Sequence, residues 1–425
     1  MKKFWFVLYN LTVIPFLFIF IRFAGLFNKK VVLGIKGRER LFEELILNAA
    51  ATDKSKKLIW FHSSSLGEFE QAKPIIKELK KDKNINILVT FFSPSGYENS
   101  KKYPYADLIS YIPFDTYSNA VRFIQIVRPD LAVMMRYDIW PNHVWAMKKF
   151  NIPCFIVDAT MKPNSSRKLP LIKNFHKILY HDITRILTVS SSDVAGFKSF
   201  GCTDAQVKAV GDTRFDRVYQ RSVTAKERNL IKDNLLKGKK IIVAGSSWEA
   251  DEEIILPAFL KLAKYDKNAI LIIAPHEPTL LHLEKIENEF TGKLETIRFS
   301  FLNNYKDERV IIIDSIGILL TLYTYANVAY VGGSFKQGIH NILEAAVYGI
   351  PVIFGPKIEN SQESQQLLTR GGGIMIKTKQ DAYRQFRTLL TYEEIRKSKG
   401  KIAYNYVQEN LGATDKILKE IYKVI

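Results

Sequence analysis

The sequence is poor in cysteine, and its first 38 residues contain no acidic side chain. Cys154 and Cys202 are the only cysteines and lie in or beside apolar runs, so a disulfide framework is excluded and a reducing compartment is favoured. Hydrophobic residues make up 47% and charged residues 25%, which excludes a mainly disordered or fibrous chain. The net charge of +19 predicts an anionic partner, such as nucleic acid, an acidic lipid surface or a phosphorylated substrate.

Several functional motifs are also missing. No G-x-S-x-G surrounds the serines at 63–65, which disfavours a Ser-His-Asp hydrolase. His176 and His181 are five residues apart rather than four, and the other histidines are scattered, so we expect no metal site. Because no nucleic-acid-binding motif is recognisable, we expect a membrane surface rather than nucleic acid to be the anionic partner.

The N-terminus is an uncharged stretch from Phe4 to Ile21, about 27 Å long as a helix and close to the thickness of a bilayer core. We expect residues 1–30 to be a retained membrane anchor. A cleaved signal peptide, a buried core helix and a segment kinked at Pro15 that lies in one leaflet stay open as alternatives. The basic residues between Lys29 and Arg38 favour a cytoplasmic body.

The rest of the chain alternates short β-rich runs with helical patterns, which is typical of parallel sheets covered by helices. We predict an α/β fold of two Rossmann-like, doubly wound domains, over residues 31–225 and 226–405. A C-terminal helix over 406–425 is expected to return to the first domain. Such domains bind ligands at the carboxyl ends of their strands, which predicts a cleft between the two sheets. The predicted strands are LIWFHS, NILVTFF, LISYIPF, LAVMM, CFIVDAT and RILTVSS in the first domain, and KIIVAGSS, AILIIAPH, RVIIIDS, VAYVGGS, PVIFGP and GIMIK in the second.

The first candidate motif, HSSSLGE at 62–68, follows a predicted strand and opens a helix. Small residues there, Ser64, Ser65 and Gly67, present backbone N–H groups to an anion. Glu68 falls in the first helical turn and is a candidate general base that removes a proton from an attacking hydroxyl. The alternative is that Glu68 only complements the helix dipole.

The second candidate is Arg136-Tyr137-Asp138, at the carboxyl end of another predicted strand. Asp138 is a candidate for positioning an acceptor, and Arg136 for binding a phosphate or carboxylate. The alternative is a capped turn before a helix that begins near Pro141.

The third candidate is a glycine pair at 332–333 followed by Ser334, and then by His340, Asn341 and Glu344. Glycines let a backbone approach a ligand closely, and we expect a helix N-terminus after them that suits phosphate. His340 and Glu344 are four apart, so on such a helix both would face a nucleotide. No G-K-[ST] follows, so this is not a Walker A loop.

Smaller signals follow other predicted strands: Ser246, Ser247 and Glu249; His276; and the segment GDTRFD at 211–216. Each of them is also compatible with an ordinary turn.

In this order, the motifs resemble those of the 3-deoxy-D-manno-octulosonic acid (Kdo) transferase family. HSSSLGE resembles the family's His-Ala-Ala-Ser-x-Gly-Glu, and DIWPN at 138–142 resembles its Glu-x-Trp-Pro-Asn. The segment from Gly333 to Glu344 is similar to its Gly-Gly-Ser and Gly-Gly-His-Asn-x-Leu-Glu-Pro-Ala. The resemblance runs across nearly the whole chain.

The resemblance implies a GT-B glycosyltransferase anchored to the cytoplasmic face of the inner membrane. It implies CMP-Kdo as donor, a lipid A precursor as acceptor, inversion at the anomeric centre, and neither a metal nor a cofactor. Glu68 would then be the general base. The acceptor site would use Ser64, Ser65, Gly67, Arg136 and Asp138. The donor site would use Arg214, assigned by charge alone to the donor carboxylate, together with Ser246, Ser247, Glu249, His276, Gly333, Ser334, His340, Asn341 and Glu344.

The sequence departs from the family pattern in four places. The family's Glu-Thr-Glu is Arg136-Tyr137-Asp138, the second glycine before His-Asn is Ile339, and the proline after Leu-Glu is Ala345. The usual Pro-Arg-His-Pro-Glu lacks its arginine at 275–277. Two alternatives therefore stay open: another GT-B lipid glycosyltransferase or an epimerase that uses a UDP-sugar, and a catalytically dead, membrane-tethered binding protein.

Overall fold

The computed structural model describes residues 2–232 and 234–425 and divides them into two compact units. The first unit runs to Arg217 and includes Leu411–Ile425, and the second covers Val218–Asn410. The boundary between them falls inside one long helix, Thr213–Lys226.

The first unit contains a seven-stranded sheet in which all neighbouring strands are parallel, in the order β3-β2-β1-β4-β5-β6-β7. Its strands are β1 (Lys57–Ser63), β2 (Ile85–Phe91), β3 (Leu108–Tyr111), β4 (Leu131–Met135), β5 (Cys154–Ala159), β6 (Arg185–Thr188) and β7 (Val207–Ala209).

The second unit repeats this plan in the order β10-β11-β9-β8-β12-β13-β14, again with parallel neighbours. Its strands are β8 (Lys240–Ser247), β9 (Ala269–Pro275), β10 (Thr296–Arg298), β11 (Val310–Ile312), β12 (Val328–Val331), β13 (Val352–Phe354) and β14 (Gly373–Met375).

Helices connect the strands. Those before the unit boundary are α1 (Lys2–Leu8), α2 (Ile14–Gly25), α3 (Lys29–Lys36), α4 (Leu41–Ala50), α5 (Leu66–Leu79), α6 (Pro94–Ser100), α7 (Tyr117–Val127), α8 (Pro141–Lys149), α9 (Pro170–His181) and α10 (Ser191–Lys198). The remaining helices are α11 (Thr213–Lys226), α12 (Glu249–Ala263), α13 (Leu280–Phe290), α14 (Leu319–Leu322), α15 (Leu343–Ala346), α16 (Gln362–Arg370), α17 (Lys379–Thr391), α18 (Glu393–Glu409) and α19 (Ala413–Ile421).

The central strand β1 shows why the sheet needs helices on both faces. Its alternate residues enter two different cores: Trp60 packs with Phe123 on one face, while Phe61 packs with Phe69 on the other. A strand buried on both sides has no polar face to offer to solvent, so its sequence is continuously apolar.

The predicted α/β fold of two Rossmann-like domains is confirmed. Two three-residue edge strands, β7 and β10, were not predicted. The helix predicted over the last twenty residues is wrong in one respect: α18 ends at Glu409 and α19 begins at Ala413, because Gly412 has a left-handed φ of 94°.

The predicted N-terminal helix is present. Lys2–Gly25 forms one helical path that is long and apolar enough to cross a membrane, with a mean hydropathy of 2.2 over its best window. A π-helical turn, Tyr9–Val13, separates α1 from α2, and Pro15 lies in the first turn of α2. This helix is a candidate membrane anchor.

Candidate functional site

In the first unit, three motif side chains lie around Asp138, just beyond the carboxyl end of β4: His62, Ser64 and Trp140. Asp138 Oδ2 lies 2.7 Å from His62 Nε2 and accepts a hydrogen bond from the Ser64 hydroxyl. The indole N–H of Trp140 lies 3.1 Å from the same histidine nitrogen. Burial raises the pKa of Asp138, but His62 and the hydrogen bonds from Ser64 and Trp140 outweigh this and hold it below its ordinary value. The charged form of the Asp138 carboxylate is therefore favoured.

Glu68 lies beside this cluster, at the third position of α5. Its Oε2 accepts backbone N–H groups from Ser64 at 2.8 Å and from Ser65 at 3.3 Å, which completes a capping box at the helix start. Within the described part of the chain, no hydrogen bond occupies the other carboxylate oxygen. Partial burial and the charge of Asp138 raise the pKa of Glu68 above its ordinary value. The carboxylate thus caps the helix and is also poised to take up a proton.

Ser65 and Gly67, the other acceptor candidates in this loop, differ in their structural roles. Ser65 is the N-cap residue of α5. Gly67 is exposed, and a Cβ built on it would meet nothing nearer than 3.9 Å. Packing therefore does not require glycine at 67, and the role of Gly67 in acceptor binding stays a prediction.

Arg136 lies next to a buried acidic pair rather than on the Asp138 carboxylate. Arg136 directly follows β4, and Asp158 is the last residue but one of the neighbouring strand β5. Both have left-handed backbones, with φ of 61° and 53°. Non-glycine residues adopt this conformation only where surrounding structure compensates for the strain. The guanidinium Nε of Arg136 is buried and has no hydrogen-bond partner in the described chain.

The acidic pair consists of Asp158 and Asp212, both of which are buried. Asp158 accepts hydrogen bonds from the backbone N–H of Thr213, at 3.2 Å, and from its hydroxyl. Burial and the like charge of Asp212 raise the pKa of Asp158 to about 7, although Thr213 and Arg136 favour the charged form. Asp158 is therefore the member of the pair whose protonated form is favoured.

Arg214 forms an ion pair with Asp212, one of these two aspartates. Its guanidinium binds both carboxylate oxygens of Asp212, with Nε to Oδ2 at 2.9 Å and Nη2 to Oδ2 at 2.7 Å. The structure thus places Arg214 in the first unit, at the start of α11. Its assignment to the donor carboxylate stays a prediction.

The second unit has a tight glycine loop at the carboxyl edge of its sheet. A Cβ on Gly332 would lie 2.2 Å from the carbonyl oxygen of Ser246, and one on Gly333 would lie 2.4 Å from that of Gly338. Gly333 also has a left-handed φ of 92°. Glycine is therefore required at both positions, because a side chain would collide with the neighbouring loops. The same close packing brings the loop that carries Ser246 near the loop that carries His340.

Three aromatic side chains form a stack at this loop. The ring centroids of Trp248 and His276 are 4.6 Å apart, and those of His276 and His340 are 4.4 Å apart. Burial and the neighbouring His276 lower the pKa of His340 to about 4, so this imidazole is neutral near pH 7. Its Nε2 accepts the indole N–H of Trp248 at 2.9 Å, which leaves the proton on Nδ1 as a donor.

The other predicted donor residues have mainly structural partners. Ser247 donates to Glu252 at 2.7 Å, and Glu249 forms an exposed ion pair with Lys285 at 2.7 Å. Ser334 is buried and accepts the backbone N–H of Gly355 at 2.6 Å.

One local prediction was wrong. His340 and Asn341 do not lie on a helix with Glu344, because α15 begins only at Leu343 and is four residues long. The left-handed φ of 104° at Gly338 keeps the chain extended before it, and the Asn341 side chain accepts the N–H of Leu343 at 3.1 Å. Glu344 instead lies 3.8 Å from Arg221. The loop, rather than a long helix, offers N–H groups here.

Several residues of these clusters were not predicted as site residues. Thr90 accepts the Trp60 indole N–H and lies 2.9 Å from His62 Nδ1, while Asp158 and Trp248 complete the groups described above. Thr90 and Asp158 lie near the carboxyl ends of parallel strands, and Trp248 follows one. The rule that such folds bind ligands at the carboxyl ends of their strands, called the strand-end rule below, could therefore have indicated all three.

No metal-binding group is formed by the residues at 2–232 and 234–425, in the sense of three neighbouring His, Cys, Asp or Glu side chains. Metal independence of the reaction stays a prediction.

Comparison with known proteins connects these groups to one family. The family described as 3-Deoxy-D-manno-octulosonic-acid transferase (kdotransferase) matches residues 39–217. The curated 3-deoxy-D-manno-octulosonic acid transferase of Aquifex aeolicus is 32% identical over 343 residues, which cover 80% of this chain and 88% of the relative. The protein of the same name from Haemophilus influenzae is 27% identical over 408 residues, or 93% of each chain.

Among solved structures, the UDP-GlcNAc 2-epimerase of Neisseria meningitidis bound to UDP-GlcNAc superposes with a TM-score of 0.61 at 18% identity, covering 87% of this chain and 100% of the epimerase. At that identity the likeness concerns the two-domain fold only. The identity to the Aquifex aeolicus relative, over most of its length, shows more: the chain belongs to the Kdo transferase family of GT-B glycosyltransferases.

Proposed function

We propose that this enzyme transfers Kdo from CMP-Kdo to a hydroxyl group of a lipid A precursor, with Glu68 as general base. The observation that supports this role is the state of Glu68: a half-buried carboxylate in the first turn of α5, with a raised pKa and one unbonded oxygen among the described residues. A general base works best when its pKa lies near the working pH, and burial moves Glu68 in that direction.

The proposed reaction is a single displacement. The acceptor oxygen attacks the anomeric carbon of Kdo while its proton passes to Glu68. The bond from that carbon to the CMP phosphate breaks, and its electron pair leaves with the phosphate. Attack opposite the leaving group inverts the anomeric centre.

The first unit is proposed to bind the acceptor. Ser64, Ser65 and Gly67 would offer the backbone N–H groups of the loop before α5. Arg136 would bind a phosphate of the acceptor, and Asp138 would orient its hydroxyl while keeping His62 in place.

The second unit is proposed to bind CMP-Kdo. Loop N–H groups around Ser246 and His340 and the Nδ1 proton of His340 would offset the charge that develops on the leaving phosphate, with neither a metal ion nor a cofactor. His276 and Trp248 would supply a flat aromatic surface. Arg214 remains the proposed partner of the Kdo carboxylate, which would have to bind while the guanidinium stays on Asp212.

We place the enzyme on the cytoplasmic face of the inner membrane, where a lipid acceptor would be concentrated. The apolar helix Lys2–Gly25 and the basic residues that flank it support this location.

The test is incubation of the detergent-solubilised enzyme with CMP-Kdo and a tetra-acylated, bisphosphorylated disaccharide lipid. Mass spectrometry of the lipid should show a product heavier by one or more Kdo units, and CMP should inhibit its formation better than UDP. Donor binding without product would reject this acceptor. Inhibition by UDP alone would reject CMP-Kdo as donor.

A further inference from the structure

The apolar N-terminal segment carries polar side chains that are already paired with the first unit. Asn10 and Asn142 exchange two side-chain hydrogen bonds, at 2.9 and 3.0 Å. The Tyr9 hydroxyl donates to the buried carboxylate of Asp115 at 2.9 Å. These are specific contacts to the folded unit, made from the middle of a stretch that would otherwise suit a bilayer.

Aromatic rings extend the same contact toward the start of the helix. The ring of Trp5 lies 5.6 Å from that of Phe175 on α9, and the ring of Phe6 lies 5.2 Å from that of Trp145 on α8. Lys2 forms an ion pair with Asp182 at 2.5 Å. The helix is therefore docked on the unit from Lys2 to Asn10.

The chain returns to the same unit after α2. Arg38 donates from Nε to the Ile112 carbonyl at 2.8 Å and from Nη2 to the Phe92 carbonyl at 2.7 Å. Gly34 of α3 is buried, and a Cβ there would lie 3.2 Å from Pro94. Both ends of the apolar segment are thus attached to one folded unit.

These attachments leave too little helix to cross a bilayer. Residues 11–25 span roughly 22 Å at about 1.5 Å per residue, whereas the hydrocarbon core is about 30 Å thick. Crossing would carry Lys2 and Lys3 to the opposite side, away from Asp182, and would separate Tyr9 and Asn10 from their partners.

The undocked part of the helix has a surface that fits lipid. Phe16, Phe20 and Phe23 on α2, and Phe27 in the turn just after it, are 57–78% exposed and follow one another at spacings of three or four residues. We call them the phenylalanine stripe. The π-helical turn Tyr9–Val13 widens the helix between the docked part and the stripe, which changes the face that is presented. Exposed Lys29, Lys30 and Lys36 follow directly, and no acidic residue precedes Glu39.

We propose that α2 lies in one leaflet of an anionic bilayer with the phenylalanine stripe among the acyl chains, and that the segment does not cross the membrane. Basic side chains next to the stripe match anionic headgroups. The inference rests on the proposed function only in taking a membrane as the place where the enzyme works.

The docking also gives the anchor a link to the candidate site. Asn142 is two residues beyond Trp140, whose indole N–H meets His62. Asn142 also donates to the backbone carbonyl of Asp115 at 2.5 Å. Asn10 is therefore a positioning residue that supports the Trp140 to Asn142 turn from the membrane side.

The topology is tested with two single-cysteine additions in the full-length enzyme, Lys3→Cys and Lys30→Cys. A membrane-impermeant maleimide is applied to inverted inner-membrane vesicles and, separately, to spheroplasts. Labelled peptides are identified by mass spectrometry, so that the buried native Cys154 and Cys202 can stay.

An in-plane segment predicts labelling of both positions from the same face. Labelling of Lys3→Cys and Lys30→Cys from opposite faces would overturn the inference and leave the transferase proposal intact. Labelling of both from the periplasmic face would keep the in-plane segment and overturn the proposed cytoplasmic location instead.

The positioning role is tested with Asn10→Leu beside Thr12→Val. Thr12 is a matched control, because its hydroxyl donates within the helix, to the Leu8 carbonyl at 2.6 Å, and contacts no other polar group of the described residues. Asn10→Leu should lower kcat for the lipid acceptor roughly tenfold, because Asn142 loses a partner, with the KM for CMP-Kdo and the membrane-bound fraction unchanged. Equal kcat for the two variants would remove the positioning role.

Discussion

Replacing Asp158 by asparagine should remove a specific pH dependence of stability from the first unit. Asp158 is buried beside Asp212, and these conditions raise its pKa to about 7 from an ordinary value of 3.8. Between these two values the folded state holds a proton that the unfolded state has lost. The stabilisation is complete below pH 4 and is lost as the pH rises to 7.

The size of the effect follows from the linkage relation. Each pH unit well inside this window costs about 1.4 kcal/mol of unfolding free energy, and the slope halves at the folded pKa, so wild type loses about 2 kcal/mol between pH 5 and pH 7 from this group. Asparagine keeps the size of the side chain and cannot ionise. The unfolding free energy of wild type minus that of Asp158→Asn should therefore fall by about 2 kcal/mol from pH 5 to 7 and level off above about pH 8.

Urea unfolding followed by tryptophan fluorescence in mild detergent measures this difference. Four of the five tryptophans precede the unit boundary, so a Trp248→Phe background restricts the signal to the first unit. Asp204→Asn, at an aspartate whose side chain is 87% exposed, is the matched control and should show a constant offset. A pH-independent difference between wild type and Asp158→Asn would refute the raised pKa of Asp158.

Three further predictions concern Asp138, Gly67 and the aromatic stack at Trp248. Asp138→Asn removes a charge that raises the pKa of Glu68, so the acidic limb of the pH–rate profile should move to lower pH; an unmoved limb would separate the two groups. Gly67→Ala should leave the melting temperature unchanged, since the added methyl meets nothing nearer than 3.9 Å, yet should reduce acceptor binding; unchanged acceptor KM would show that no ligand approaches there. Trp248→Leu removes a ring stack and the hydrogen bond to His340, and should raise the KM for CMP-Kdo roughly tenfold; an unchanged KM would exclude the stack from the donor site.

The fold could be predicted from the sequence because its central strands are buried on both sides. The run KIIVAGSS is almost entirely apolar or small, as expected for a strand buried on both faces, and it forms β8 over Lys240–Ser247. The edge strands β7 and β10 have only three residues each and include exposed or half-exposed positions. Their pairing comes from the neighbouring strand rather than from their own sequence, so the pattern could not show them.

The site could be predicted only in part. The strand-end rule located Glu68, Asp138 and His276, since parallel strands bring their carboxyl ends to one edge. It could not show that Arg136 would lie near Asp158, because that depends on the left-handed backbone of both residues at the ends of neighbouring strands. It also led to a helix at His340, where glycine conformations and an asparagine side chain delay the start of α15 to Leu343.

The measurement that tests the central claim most directly is single-turnover Kdo transfer by Glu68→Gln and Glu78→Gln, each in detergent with CMP-Kdo and the disaccharide lipid. Glu78 is the matched control, since it lies on the same helix and its carboxylate forms an i,i+3 pair with Lys81 at 2.5 Å. General-base catalysis by Glu68 predicts a rate at least about 100-fold lower for Glu68→Gln, with CMP binding and melting temperature unchanged, and a wild-type rate for Glu78→Gln. A Glu68→Gln rate within a few-fold of wild type would contradict the account.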